Sequence, residues 1–437
     1  MSTAAAKTTD HSDTLAVVGG MMADVVMHEA TIFKLIKDKS GDGVKIEGNA
    51  NYWYRTVRVT GTYTGRGRDE AGTRPDYASP TTKPAKYGLN LLWIPMEVSS
   101  RAKKAGALIG PPSVTIEHAS FQNLLADWAL LSNQSVLGQH EGWLSVATNA
   151  DTGVTVNLTD MQQVKKGMIV DSYDSSGSKE IDAKEITAVN LDTKQITIGS
   201  STWTVGSRII RSGSRDTYMH GFGDLINPNS DIIVDGYPVR YKDEVYANLN
   251  RTTYADWSSI LMWAGTEGAA VAPKPRMLQS LFARFVSRTG NALCPFTDAM
   301  ASPATCEALS DVIDQSFRQI KKKSRLDIGE DDNLTYRSVS LKKKKVVINS
   351  IPGWRHHVID FVDFDKPNDD GVKLRWCDKP GFLPDQDGIW RRQDNNAGGK
   401  AVYAASFQVD WEMVGHPRHC ATLAGIALSD SLRNAPD

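Results

Sequence analysis

Phe407-Gln408-Val409-Asp410-Trp411-Glu412-Met413-Val414 alternates apolar and polar side chains along its length. A period of two belongs to a β-strand, whose successive side chains point to opposite faces. Phe407, Val409, Trp411 and Met413 therefore line a core, while Gln408, Asp410 and Glu412 meet water or a neighbour. Upstream, Trp376-Cys377-Asp378-Lys379-Pro380-Gly381-Phe382-Leu383 opens a stretch to Asn396 rich in charge, Pro and Gly, the composition of an exposed excursion rather than of a core element. Downstream, His416-Pro417-Arg418-His419-Cys420 leads on to Leu428. The region reads as long strands and not as an active site. With a polar N-terminal arm and a long Arg/Gly-rich loop, it points to a chain shaped by contacts between copies.

The chain has 437 residues, too many for one compact core, and its 50 basic and 51 acidic residues leave a net charge of −1. That balance gives no reason to make nucleic acid or an anionic membrane the main partner, although local patches remain open. Cys294, Cys306, Cys377 and Cys420 are irregularly spaced and match neither a disulfide framework nor a CxxC metal pair, so all four are read as thiols of a reducing compartment. Met1 to Asp13 lacks a signal pattern, and no run approaches the roughly 18 apolar residues of a membrane span, so the expectation is a soluble product made in the cytosol.

Along the chain, Ser2 to Asp13 has the composition of a disordered arm. Leu15 to Lys37 carries an intermittent apolar face compatible with helix or extended chain. Two β-prone runs, Trp53 to Tyr63 and Tyr87 to Ile94, bracket Thr64 to Lys86, predicting a long hairpin whose polar tip binds something. Thr115 to Leu137 spaces Phe121, Leu124, Leu125, Trp128 and Leu131 as a helix stopped at Gly138 and packed on a sheet. Gly142 to Arg211 holds short strands at regular spacing, a small inserted barrel. Pro275 to Arg288 and Ser302 to Ile320 are amphipathic helices, the second capped by Ser302 with Pro303 at its first position. Lys345 to Ile351 and His357 to Phe364 read as strands around the Pro352-Gly353 turn.

Candidate chemistry is sparse. His416, His419 and Cys420 are metal-ligand types, but Pro417 breaks any helix that would align them and adjacent His419 and Cys420 diverge on a strand. The adjacent pair His356-His357 has the same defect and reads as surface or interface histidines. Lys342 to Lys345 is a basic run that can touch phosphates, but it leads into an apolar strand, where lysines block edge pairing, the plainer reading. Lys321, Lys322, Lys323 and Arg325 end a helix and can touch phosphates, with a solvated face as the plainer reading. In the hairpin tip Arg66, Arg68 and Arg74 mix with Asp69, Glu70 and Asp76, a set suited to another protein surface, because the acids would repel phosphates. Gly221-Phe222-Gly223 is too short for a dinucleotide fingerprint, and no GxSxG, P-loop or HExxH occurs, so no catalytic, cofactor or metal residue is assigned. The eleven tryptophans read as core or interface anchors.

The order of these elements resembles the major capsid proteins of tailed bacteriophages, whose fold also forms the floor of herpesvirus capsids. The likeness is carried by the hairpin Tyr52 to Ile94, the helix Phe121 to Leu137 with Gly138, and the β segment from Gly167-Met168-Ile169-Val170 to Arg208-Ile209-Ile210-Arg211. It continues through Ser302-Pro303-Ala304-Thr305-Cys306-Glu307-Ala308-Leu309 and closes with Gly415-His416-Pro417-Arg418 to Gly425-Ile426-Ala427-Leu428. The resemblance implies an α+β capsid fold divided into an N-terminal arm (1–48), an extended loop lying across the adjacent subunit (49–100) and a peripheral domain with a spine helix (101–141). A small inserted β domain (142–212), an axial domain with peripheral returns (213–405) and a C-terminal peripheral strand and tail (406–437) complete it. It implies a non-enzymatic shell protein assembling in pentamers and hexamers around double-stranded DNA, with portal and possible scaffolding or cement proteins as partners. An encapsulin-like compartment shell is the near alternative. A carbohydrate-binding or hydrolytic β-rich protein, with Asp363 and Asp365 as its first acid pair, is the remote one.

Overall fold

The computed structural model describes residues 32, 35–36, 44–45, 52–60, 81–88, 90–99, 116–139, 141–289, 296–309, 334–337, 345–364, 371–382, 391–394 and 401–428. The chain is mixed α and β, with few helices and many sheets.

The strand that opened the sequence analysis spans Ala401–Val414 and is the axis of a five-stranded sheet. One edge pairs antiparallel with Asn90–Ser99; the other pairs with Lys373–Phe382 and then Arg391–Asp394. Val44–Lys45 adds a short parallel strand outside Lys373–Phe382. The stretch expected as an excursion is thus corrected in part: residues 376–382 are sheet. Two register shifts, between Trp376 and Asp378 and between Asp378 and Gly381, let a Pro/Gly-containing segment stay paired.

Alternation then does what the pattern requires. Phe407, Val409, Trp411 and Met413 are all buried, and the helix Ile116–Leu137 lies against them, with Trp128 edge-on to Phe407 at 4.7 Å and 5.9 Å from Trp411. Ile32 and Ile36, both helical, join the same core, which resolves the open reading of Leu15 to Lys37 at those positions. The helix ends at Gly138, whose N–H reaches Gln134 O at 3.0 Å. Its last carbonyls seat the short helix Phe222–Leu225: a Cβ on Gly221 would lie 2.5–2.6 Å from the Ser135, Val136 and Gly138 oxygens. The Gly-Phe-Gly sequence is a packing seat.

The second sheet has six strands, in the order Ile260–Trp263, Ala421–Ala424, Val358–Val362, Asp298–Ala301, Lys345–Ser350 and Leu334–Arg337. The strands flanking the Pro352-Gly353 turn do not pair with each other, since Asp298–Ala301 lies between them. Lys345–Ser350 is likewise interior, so an edge-blocking role for Lys345 is corrected; Leu334–Arg337 holds that edge. The helix Pro275–Thr289 turns Leu278, Leu281, Phe282 and Phe285 into a core with Phe296, Phe361 and Leu423. Fully burying such a side chain contributes about 1.5–3 kcal/mol. Ser302 caps the helical residues 303–309, its Oγ accepting from Thr305 N at 3.3 Å.

Residues 143–211 form two further sheets. Trp143–Val146, Arg208–Arg211, Ile169–Tyr173 and Lys179–Glu185 make the four-stranded one, and Thr155–Asn157, Gln195–Thr197 and Ala188–Asn190 the three-stranded one. Between them sits a separate apolar cluster that includes Leu144, Val156, Ile181, Ile196, Trp203 and Ile209.

Candidate assembly surface

Tyr52–Thr60 and Thr81–Gly88 pair only with each other among the described residues, from Tyr52 opposite Gly88 to Thr60 opposite Thr81. The second strand of the hairpin therefore lies six residues earlier than expected, at Thr81–Gly88 in place of Tyr87 to Ile94. Asn90–Ser99 leaves the hairpin altogether to pair with Ala401–Val414. Thr81, Thr82, Lys83 and Pro84 are exposed, whereas Ala85 and Tyr87 nearer the base are buried, as is Val57 opposite Lys83. An isolated two-stranded ribbon is at best marginally stable in water, so what holds its base matters.

The hold on the base is specific. Tyr87 packs between Trp53 and Tyr246 at 5.2 and 5.8 Å and donates its hydroxyl to Gly415 O at 3.2 Å. Lys86 N donates to Ala247 O at 2.8 Å, and the Arg375 guanidinium lies 5.1 Å from the Trp53 ring. Between the hairpin and the sheet strand, Asn90 Nδ2 donates to Glu412 Oε2 at 2.8 Å. Glu412 is fully buried, and its other oxygen accepts from His220 N at 2.9 Å with His220 Nδ1 3.3 Å away. Burial alone would lower the His220 pKa, but the Glu412 carboxylate, with Asp224 and Asp243 behind it, holds it up at about 9. Burial pushes the Glu412 carboxyl upward, and His220 opposes that push. Each of the two groups favours the charged form of the other, and the pair is set where the hairpin turns into the sheet.

The face of Asn90–Ser99 opposite buried Leu92 carries Leu91 and Trp93, 49% and 56% exposed, beside half-buried Asp410 and Gln408. Exposed large apolar groups on a sheet face are the usual signature of a contact made in an assembly.

A second cluster joins the 143–211 sheets to the rest. Arg355 donates to the carbonyls of Trp143 and Leu144 and to Asp160 Oδ2, each at 3.3 Å, with its guanidinium 4.0 Å from the Trp143 ring. Asp160 also accepts from Tyr237 Oη at 3.0 Å. His356 bridges Ser302 Oγ at 3.0 Å and Gln162 Nε2 at 3.1 Å, and His357 Nδ1 lies 2.8 Å from Ile426 O. Both histidines are buried, which corrects the surface reading of that pair.

The tip residues Arg66, Arg68, Asp69, Glu70, Arg74 and Asp76 and the cations Lys321, Lys322, Lys323 and Arg325 lie outside the described residues. Among those described, no group of three His, Cys, Asp or Glu could hold a metal, and His416 and His419 flank a 3-10 turn with ring centroids 5.2 Å apart. Cys306 and Cys420 are buried free thiols, and burial pushes the first up to about 12. Asp363 is buried and Asp365 lies outside the described residues. No described helix is long and apolar enough to cross a membrane. Asn90, His220, Glu412 and Arg355 were not singled out from the sequence as site residues. Glu412 sits on the polar face of the alternating strand, but its partner is 192 residues away in sequence and carries no local signal.

No family model and no curated protein matches the chain. Solved structures do. The capsid of cyanophage A-1(L) is 11% identical, with a TM-score of 0.54 over 91% of this chain and 93% of that one. The capsid of the native GTA particle is 12% identical over 90% of both chains at a TM-score of 0.43, and an encapsulin of Synechococcus elongatus is 11% identical over 89% and 85% at 0.39. With nearly the whole of both chains aligned, this chain shares the fold of the cyanophage A-1(L) capsid chain.

Proposed function

We propose that the chain is the major capsid protein of a tailed phage, assembling as pentamers and hexamers into an icosahedral head around double-stranded DNA. The observation that carries this reading is the hairpin Tyr52–Gly88: a ribbon with a clamped base and an exposed distal strand, on a capsid fold. Such a ribbon gains most when it lies on a second copy, since many weak identical contacts add up to a strong closed shell. Leu91 and Trp93 supply apolar area for the same purpose. In this reading Arg66, Arg68, Asp69, Glu70, Arg74 and Asp76 make charged contacts with the adjacent subunit, and Lys321, Lys322, Lys323 and Arg325 face packaged DNA. A portal protein, and scaffolding or cement proteins, would be its partners, and assembly would take place in the host cytoplasm.

The test is sedimentation of the expressed chain, followed by negative-stain microscopy of the fast fraction. Closed shells, or pentamers and hexamers that convert to them, are expected. A species that stays monomeric at high concentration, even when co-expressed with the proteins of its own gene neighbourhood, would refute the reading.

A further inference from the structure

The helix Pro275–Thr289 has a charge pattern its packing does not use. From Gly268 to Thr297 the sequence contains Lys274, Arg276, Arg284 and Arg288 and no Asp or Glu, in a chain whose acids and bases are otherwise balanced. The apolar stripe Leu278, Leu281, Phe282 and Phe285 is committed to the six-stranded sheet. Opposite it, Arg276, Gln279, Ser280, Ala283, Arg284 and Ser287 are all exposed, as is Lys274 just ahead of the helix. In its last turn Arg288 donates to the carbonyls of Ala255, Ser258 and Ser259, and Arg418 lies 3.7 Å from Asp256, the acid facing both arginines. Cations at the end of the helix complement its dipole, but that accounts for Arg288 and not for Lys274, Arg276 or Arg284.

We propose that this solvent face, built on Lys274, Arg276 and Arg284, is a contact surface for the phosphate backbone of double-stranded DNA. The proposal rests on the reading of the chain as the shell of a DNA-filled head and assigns one surface of it to the contents. Arg276 and Arg284 are eight residues apart on one rigid helix, a separation of about 12 Å along its axis. Duplex DNA offers a phosphate charge about every 1.7 Å of its axis, so such a pair finds partners in any register. The side chains between them are small or neutral: Gln279, Ser280 and Ala283 let a backbone approach and read no base. The contact is sequence-independent and reversible, as a DNA that must enter and leave requires. An acidic protein is the competing occupant; it would call for large aromatic or apolar anchors between the cations, which Gln279, Ser280 and Ala283 do not supply.

The test uses the full chain and a fluorescent 30-base-pair duplex of arbitrary sequence, titrated from 50 to 300 mM salt. The triple variant Lys274→Gln, Arg276→Gln, Arg284→Gln changes exposed positions only and keeps the buried stripe. It should flatten the slope of log affinity against log salt by about three. A control, Lys165→Gln with Lys166→Gln on the exposed edge of the 143–211 sheets, should leave the slope unchanged. No binding by the wild type at 50 mM, an equal slope in the triple variant, or an equal effect from the control would each overturn the proposal. Polyglutamate binding at least as tight as DNA and equally sensitive to the triple variant would assign the face to a protein and overturn it too. Sedimentation of the same samples separates this result from the shell reading: a flattened slope without shells keeps the surface and removes the shell, and shells with an unchanged slope do the reverse.

Discussion

Replacing Glu412 by Gln removes one charge from the junction of hairpin and sheet while keeping its shape. In the wild type His220 titrates at about 9 in the folded chain against about 6.5 when unfolded. A raised folded pKa contributes stability that is fully present below about 6.5 and is lost as pH rises through about 9. Two and a half pKa units correspond to about 3 kcal/mol, of which roughly 2–3 kcal/mol remains at pH 7. Glu412 is itself disfavoured by burial, so this is an upper value. Without the carboxylate, His220 is left buried and neutral and Asn90 loses a charged acceptor. Amide hydrogen exchange should detect the loss locally, in peptides covering Lys83 to Ile94, which include the Lys86 N–H held by Ala247 O. At pH 7 the variant should exchange there faster than the wild type, by up to about 30- to 100-fold, and the ratio should shrink toward one by pH 10. A ratio below threefold at pH 7, or one indifferent to pH, would refute the ion pair as the clamp of the hairpin.

Three further outcomes follow from the geometry. Arg355→Ala removes a donor from two carbonyls and leaves Asp160 with Tyr237 and Gln162, which should cost about 3 kcal/mol and appear as early proteolytic release of residues 143–211. Gly221→Ala forces a Cβ against three helix-terminal oxygens, so little soluble protein is expected, whereas Gly167→Ala, with a positive φ but nothing within 4 Å, should lose only about 1 kcal/mol in thermal unfolding. Trp93→Ser should leave the melting temperature of the unassembled chain within a degree or two while reducing the fast-sedimenting fraction, because the ring is more than half exposed.

Local periodicity made the elements legible where one face of an element decides it. The terminal strand, the helices beginning at Ile116 and Pro275 and the short strands of 143–211 all follow from spacing and turn residues. Partnership was not legible. Nothing in residues 376–382 distinguishes a bulged strand from a loop, because Pro380 and Gly381 are tolerated only through register shifts that the neighbouring strand permits. The split at Gly88 between hairpin and sheet is equally silent: both sides are β-prone, and only Ala401–Val414, three hundred residues on, recruits the second. His356 and His357 looked like surface residues because their partners, Ser302, Gln162 and Ile426, come from three distant segments. The alternating strand did announce that Glu412 faces away from the apolar core, but burial there required His220 from another element.

Residues 401–424 take the interior place in both large sheets: Ala401–Val414 joins Asn90–Ser99 to Lys373–Phe382, and Ala421–Ala424 joins Ile260–Trp263 to Val358–Val362. A chain still on the ribosome therefore holds two incomplete sheets whose open edges cannot be closed until residues 401–424 emerge. Long-range pairing of this kind is slow and exposes unpaired edges while it waits. A fragment that stops short of residue 401 lacks an interior strand of each large sheet, and with it the Gly415 carbonyl that holds Tyr87 at the base of the hairpin.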